Sequence, residues 1–345
     1  VFHFLDQIEE RNRMPHRLLS QLVHVELLTP TLAESVEFAV DILGLDVVEE
    51  AGDSVYLRCW GDFYAHSVIL TAADQPGVGH AAWRTDGPEQ LEEAVRKVEA
   101  AGTRGAWVDS SVGHGRAYRF EGPGGHITEL VWDVDRAEAP EGEESPYPDR
   151  PQRAGSRGMG ARLVDHLTVT TPDVREQSAW YHDVLGFRTM AYIEPGPGAP
   201  WVFSVNTTNE KSHDLGLVMD FDGERGRHHH LAFWVETNHD LTSGAQLLVE
   251  HAHDIDFGPG QHGIGEQNYL YFRDPGGLRY ELNSGGYRNY VPDWEPVRWG
   301  IEDGPNNSYR TEIEMPAVHM VPIPPGVRGR TAVDRDDTSH PVARS

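Results

Sequence analysis

The stretch from Arg227 to Gly285 holds the residues best suited to chemistry. It opens with RHHHLAFWVE, passes through FGPGQHGIGEQNYLYFRDPGG and closes with LRYELNSGG. The apolar run after His230 alternates as a strand does, and so do the residues leading to Glu281. Side chains of like parity share a sheet face, so a histidine and a glutamate on neighbouring strands can point into one concave surface. His166, inside the strand-like run ARLVDHLTVTT, supplies a third donor. Two neutral imidazoles and one carboxylate on one face of a metal leave the opposite face open. That donor set suits non-haem Fe(II) that must bind a substrate and dioxygen together; an N/N/O face does not by itself choose Fe(II) over Mn(II). Which of His228, His229 and His230 faces the metal is a matter of register, because neighbours on a strand face opposite ways. His230, directly before the apolar run, is the one expected.

Elements must position these residues, and the chain is long enough to build them. Its 345 residues suggest about two domains at roughly 150 residues each. No apolar run approaches the roughly 20 residues that span a bilayer, and the N-terminal VFHFLDQIEERNRMPHR mixes charge with apolar residues unlike a secretory signal. The single Cys59 rules out an intrachain disulfide and fits a reducing, cytoplasmic setting. A net charge of −26 repels phosphate backbones, so nucleic acid and anionic membranes are not expected partners.

The pattern of elements then repeats. VHVELLTPTLAESVEFAVDILGLDVV resembles DHLTVTTPDVREQSAWYHDVLGFRTM at an offset of 142 residues. His80 aligns with His230 at an offset of 150, and FEGPGGHITEL matches FRDPGGLRYEL with Glu129 on Glu281 at 152. The repeat predicts an α+β fold of four βαβββ modules in two domains, 19–136 and 161–287. Residues 1–18 read as a polar helix and 137–160 as a linker. Residues 288–323 read as an aromatic covering segment carrying Trp294, Trp299 and Tyr309, and 324–345 as a loose tail. The repeat also yields a twin triad, His24, His80 and Glu129, with His66 matching His213. Arg119 falls where the second half has Tyr271, so the twin is expected to be a metal-free relic.

From about Gln21 to Gly300 the chain resembles the two-domain extradiol ring-cleaving dioxygenases of the vicinal oxygen chelate superfamily, the glyoxalase and bleomycin-resistance fold. VDHLTV, SHDLGLV, HHHLAFWVE and GPGQHG…YLYFRDPGG…YEL carry the likeness. The resemblance implies that His166, His230 and Glu281 bind iron or manganese, and that His213, His262 and Tyr271 act beside it on a catechol and dioxygen. It implies cleavage of the ring next to the diol, and assembly as a homo-oligomer. Two positions depart from a close relative: Thr168 stands for an Asn, and Phe257 for an Arg that answers a substrate carboxylate. With Trp201, Phe203 and Trp299 as candidate pocket walls, an apolar substituent such as that of a dihydroxybiphenyl is expected. A 4-hydroxyphenylpyruvate-type dioxygenase and a metal-free ligand-binding protein of the same fold are the alternatives.

Overall fold

The computed structural model describes residues 17–155, 157–309 and 315–325. The expected N-terminal helix and loose tail fall almost wholly outside the described residues.

The first half runs β1 (Leu19–Thr29), α1 (Leu32–Phe38), β2 (Asp46–Ala51), β3 (Ser54–Arg58) and β4 (Val68–Ala72). It then repeats as β5 (Gly77–Thr85), α2 (Pro88–Ala100), β6 (Gly105–Val108), β7 (Ala117–Glu121) and β8 (Ile127–Val131). The second half follows with β9 (Leu163–Thr171), α3 (Val174–Leu185), β10 (Arg188–Ile193), β11 (Phe203–Thr207) and β12 (Leu215–Met219). Its last module is β13 (His228–Trp234), α4 (Asn238–Glu250), β14 (Ile255–Gln261), β15 (Gln267–Arg273) and β16 (Arg279–Gly285). The four βαβββ modules foreseen from the repeat are present.

The two sheets share one strand order. The first is β2-β3-β4-β1-β5-β8-β7-β6, and the second is its image, β10-β11-β12-β9-β13-β16-β15-β14 read from the other edge. The second sheet gains a ninth strand, β17 (Val297–Trp299), which pairs parallel to β10.

Local chemistry explains the helices. In α2, Pro88 starts the helix, where its missing N–H is not needed, and Leu91, Ala94, Val95 and Val98 form a buried stripe. Asp173 caps α3 by accepting the amide of Glu176 at 2.8 Å. Thr237 and Asp240 form a capping box on α4. Gly44 and Gly186, matched in the repeat, both end a helical run at positive φ, 84° and 74°, where a side chain would strain the turn.

The helix-bearing faces meet in one core that draws on both sheets. Trp83 of the first half packs edge-on against Phe187 of the second at 4.9 Å, and Phe38 lies 6.0 Å from Phe272. Truncating Trp83, which is fully buried, should cost about 3–5 kcal/mol. Among its described residues the stretch read as a linker has no helix or strand, yet it is pinned to the first half. Met159 donates its amide to Ile42 at 2.7 Å, and buried Gln152 donates to Asp46 at 2.9 Å. With the core on one side, the opposite concave face of each sheet is left for polar residues.

Candidate metal centre

Register builds the site. On β9, β13 and β16, His166, Ala232 and Glu281 lie side by side in one row. His230 is two residues from Ala232 and shares its face. The small Ala232 side chain leaves room between the imidazole and the carboxylate. All three polar groups are buried. Their donor atoms crowd together: His166 Nε2 lies 3.0 Å from His230 Nε2 and 3.2 Å from Glu281 Oε2, and His230 Nε2 lies 2.9 Å from Glu281 Oε2.

Hydrogen bonds behind the two rings decide what those atoms are. His166 Nδ1–H donates to Asp165 Oδ2 at 2.8 Å. His229 Nε2–H donates to the His319 carbonyl at 2.9 Å, so its Nδ1 accepts from His230 Nδ1–H at 2.6 Å. With both rings neutral, as metal binding requires, both inward Nε2 atoms carry lone pairs. Neither oxygen of Glu281 has a hydrogen bond of good geometry, although both Nε2 atoms are within reach of Oε2. Three lone-pair donors about 3 Å apart repel one another unless a cation sits among them. Bonds of about 2.1 Å at right angles space neighbouring donors by about 3 Å, so the triad fits one face of an octahedral metal.

Without a cation, the triad draws a proton to His166 instead, and a bound metal would take that proton's place. Burial disfavours charge on His166, yet Asp165 and Glu281 outweigh it and push its pKa up to about 9. Burial likewise opposes ionisation of Glu281, but the two imidazoles hold it well below the usual carboxylate range. Burial brings His230 down to about 4, with Glu281 offsetting part of the shift. Asp165 is itself braced: Lys211 Nζ lies 2.7 Å from Oδ1, and Gln267 and Asn283 each donate to Oδ2 at 3.0 Å.

A cavity of about 450 Å³ opens onto the triad. His213, in the turn before β12, lines it with its ring 4.1 Å from that of His166. Burial, then the nearby His166, keeps the pKa of His213 well below 6.5, so the ring is neutral. His262 Nδ1–H donates to the Asn306 carbonyl at 3.1 Å, which leaves Nε2 to accept the Tyr271 hydroxyl at 3.0 Å. Thr168 lines the cavity as well; a Cβ on Gly216 of the HDLGL run would sit 2.4 Å from its Oγ1, so only glycine fits there.

The remaining walls differ from expectation in part. Phe203 lines the cavity, with Ile193, Val202, Val218 and Ile264. Trp201 does not: it turns away to stack on Tyr192 at 3.8 Å, on the core side. Trp299 packs beyond the His262 turn against Met190 and Ile264. Phe257 stands behind the wall, 5.0 Å from Tyr269 and 5.1 Å from His319, and supports those rings without reaching the cavity. The later segment closes the mouth through Ile301, Pro305, Asn306, Met315 and Met320, whereas Trp294 bonds to the Met190 carbonyl and Tyr309 faces solvent.

Three contributors were missed. Asp165 was visible in the dipeptide before Leu167, but its role depends on Lys211 from a distant loop and Gln267 at the start of β15. His229 faces the cavity beside His230 because the register slips between His228 and His230, and a bulge cancels the alternation that would have separated them. His319 arrives from the far end of the chain. Buried Arg279 holds that end down: it donates to the carbonyls of Val318 at 2.7 Å, Val321 at 3.0 Å and His229 at 3.1 Å, with Asp256 balancing its charge.

The model of the Glyoxalase/Bleomycin resistance protein/Dioxygenase superfamily matches residues 21–130 and 163–282, one match in each half. The chain belongs to this superfamily. It is similar to the manganese-dependent 2,3-dihydroxybiphenyl 1,2-dioxygenase of Geobacillus genomosp. 3, at 38% identity over 81% of this chain and 90% of that one. Metapyrocatechase of Geobacillus stearothermophilus is 35% identical over 84% of this chain and 88% of its own. Among solved structures, homoprotocatechuate 2,3-dioxygenase from Arthrobacter globiformis superposes with a TM-score of 0.77 at 25% identity, covering 90% of this chain and 93% of that one.

Proposed function

We propose that this superfamily member is an extradiol dioxygenase that cleaves a catechol beside its two hydroxyls, on a ring bearing an apolar substituent. The observation that carries the reading is the cavity itself: three converging lone-pair donors at one end, and an aliphatic and aromatic wall at the other. Among its described lining residues there is no Arg or Lys to answer a carboxylate. That favours an uncharged substituent over a phenylacetate, and a diol over the 2-oxo acid of a hydroxyphenylpyruvate-type enzyme.

His166, His230 and Glu281 would hold the ion, Fe(II) or Mn(II). When bound, it would take both diol oxygens, lower a phenol pKa and bring dioxygen next to the ring. The neutral ring of His213 is placed to accept a proton from the diol and later return it to oxygen. Tyr271 and His262 act as one unit. The phenol is anchored on Nε2 of a ring whose tautomer Asn306 fixes, so its oxygen is oriented toward whatever sits over Glu281. Asp165 and the His229–His319 pair keep the two ligand rings in the tautomers that binding requires. Self-association belongs to the same reading and is measurable by light scattering.

The test compares metal-reconstituted protein on 2,3-dihydroxybiphenyl, catechol and 3,4-dihydroxyphenylacetate, following oxygen uptake and the yellow ring-opened semialdehyde. The biphenyl diol should have the highest kcat/KM, by about tenfold or more over the acid. A muconic acid product, or no oxygen uptake with any diol, would overturn the assignment.

A further inference from the structure

The first half reproduces the row of the metal centre almost atom for atom. His24, Ala82 and Glu129 lie side by side on β1, β5 and β8, and His80 sits two residues from Ala82. His24 Nε2 is 3.0 Å from His80 Nε2, the spacing found between His166 and His230. His66 lies over His24 at 4.7 Å, as His213 lies over His166 at 4.1 Å. His114 Nε2 stands 3.5 Å from Glu129 Oε1, as His262 Nε2 stands 3.9 Å from Glu281 Oε1. The five imidazole and carboxylate positions are all retained.

One position directly opposite the carboxylate differs. Tyr271 is the cross-strand partner of Glu281, and Arg119 is the cross-strand partner of Glu129. Arg119 Nε bonds Glu129 Oε2 at 2.5 Å. The carboxylate is correspondingly farther from the first imidazole, with His24 Nε2 to Glu129 Oε1 at 3.7 Å against 3.2 Å in the second half. A buried carboxylate needs a cation, and a guanidinium supplies one that cannot lose its proton.

We infer that Arg119 is a built-in substitute for the metal: its side chain neutralises Glu129, draws the carboxylate out of the triad and keeps a complete divalent-metal site silent. Glu129, His24 and His80 form a latent site for a transition-metal ion, and the guanidinium is the latch. A mere relic would have lost its geometry, whereas this one is intact apart from the latched group. The inference concerns the first half only, so it stands or falls separately from the activity assigned to the second.

The experiment measures Mn(II) per chain by plasma mass spectrometry, with Mn(II) electron paramagnetic resonance as a second readout. It is done in the His166→Ala protein, so that the second triad does not contribute. Arg119→Met and Arg119→Tyr are added to that background, and the one that keeps the parent circular dichroism spectrum is carried forward. His166→Ala alone should hold no tightly bound Mn(II). Opening the latch should raise this to one equivalent, and His24→Ala on top should return it to none. Arg119→Lys, which keeps the positive charge, should stay metal-free. One equivalent in His166→Ala alone would overturn the inference by showing that Arg119 excludes nothing. No uptake in a folded Met or Tyr variant would overturn it by showing that the latch is not what silences the site.

Discussion

Around His24 and around His166 the chain has built the same row on strands of the same order, and has then surrounded the two rows differently. Behind His166 stands Asp165, braced by Lys211, Gln267 and Asn283; behind His24 the equivalent residue is Val23, and His24 Nδ1 has no hydrogen-bond partner. In front of the second row lies a cavity lined by Ile301, Pro305, Asn306, Met315 and Met320, whereas in front of the first Arg119 spans to Glu129. Three donors of the right type in the right row thus do not by themselves make a centre. His80 keeps an outer acceptor in Glu26 at 2.9 Å, so the two rows are separated by the acceptor behind the first imidazole and by the absence of a competing cation.

The comparison predicts its own asymmetries. The largest is between His166→Ala and His24→Ala. The first should lose bound metal and reduce kcat/KM by about a thousandfold or more, while the second stays within about twofold of wild type; atomic absorption and oxygen-electrode assays on both proteins read it. Equal losses would mean the halves are not specialised. Next comes the pair of histidines above the rows. His213→Phe should keep its metal and lose about 10²–10⁴-fold in kcat, with His66→Phe unchanged per folded molecule; loss of metal from His213→Phe would make that residue a ligand instead. The outer carboxylate should matter less. Asp165→Asn should weaken metal affinity by about 10–100-fold, seen as a shifted chelator titration, with recovery of turnover at high metal.

The smallest effect is on stability. Where the second half has Leu278 after its Pro-Gly-Gly turn, the first has His126, buried and donating through Nε2 to the Arg227 carbonyl of the other half at 2.7 Å. Burial lowers its pKa to about 4, with Arg225 contributing. A depressed folded pKa means that this stability is complete above pH 6.5 and is lost as the pH falls through 6.5 toward 4, because the unfolded chain takes the proton first. The shift corresponds to no more than about 3 kcal/mol. His126→Leu should flatten the fall in Tm between pH 7 and 5; an unchanged slope would assign the acid sensitivity to other groups.

Much of this was legible before any coordinates. Offsets of 142, 150 and 152 residues fixed both halves on one template, and a template whose strands alternate puts His166, His230 and Glu281 on one face. What escaped was whatever alternation does not govern. The bulge at His229 turns two consecutive histidines toward one cavity, and no side-chain pattern in HHHLAFW announces it. Lys211 reaches Asp165 across 46 residues and the His319 carbonyl reaches His229 across 90, contacts set by loops rather than by periodicity. Trp201 was misjudged because a large ring just before a strand is as useful to the core as to a pocket, and its stacking partner Tyr192 decided the matter.

The grip of Arg279 on the chain from Val318 to Val321 has a consequence in time. Ile323 pairs with His228, and His319 orders the ring that orders His230, so the second centre depends on residues made 42 positions after Glu281. At about 5–20 residues per second, a ribosome needs about 2–8 s to cover that distance. During synthesis every residue of the first row, its arginine included, is made before the first residue of the second row. The second row, by contrast, stays unfinished until the chain beyond Val318 has folded back across β13.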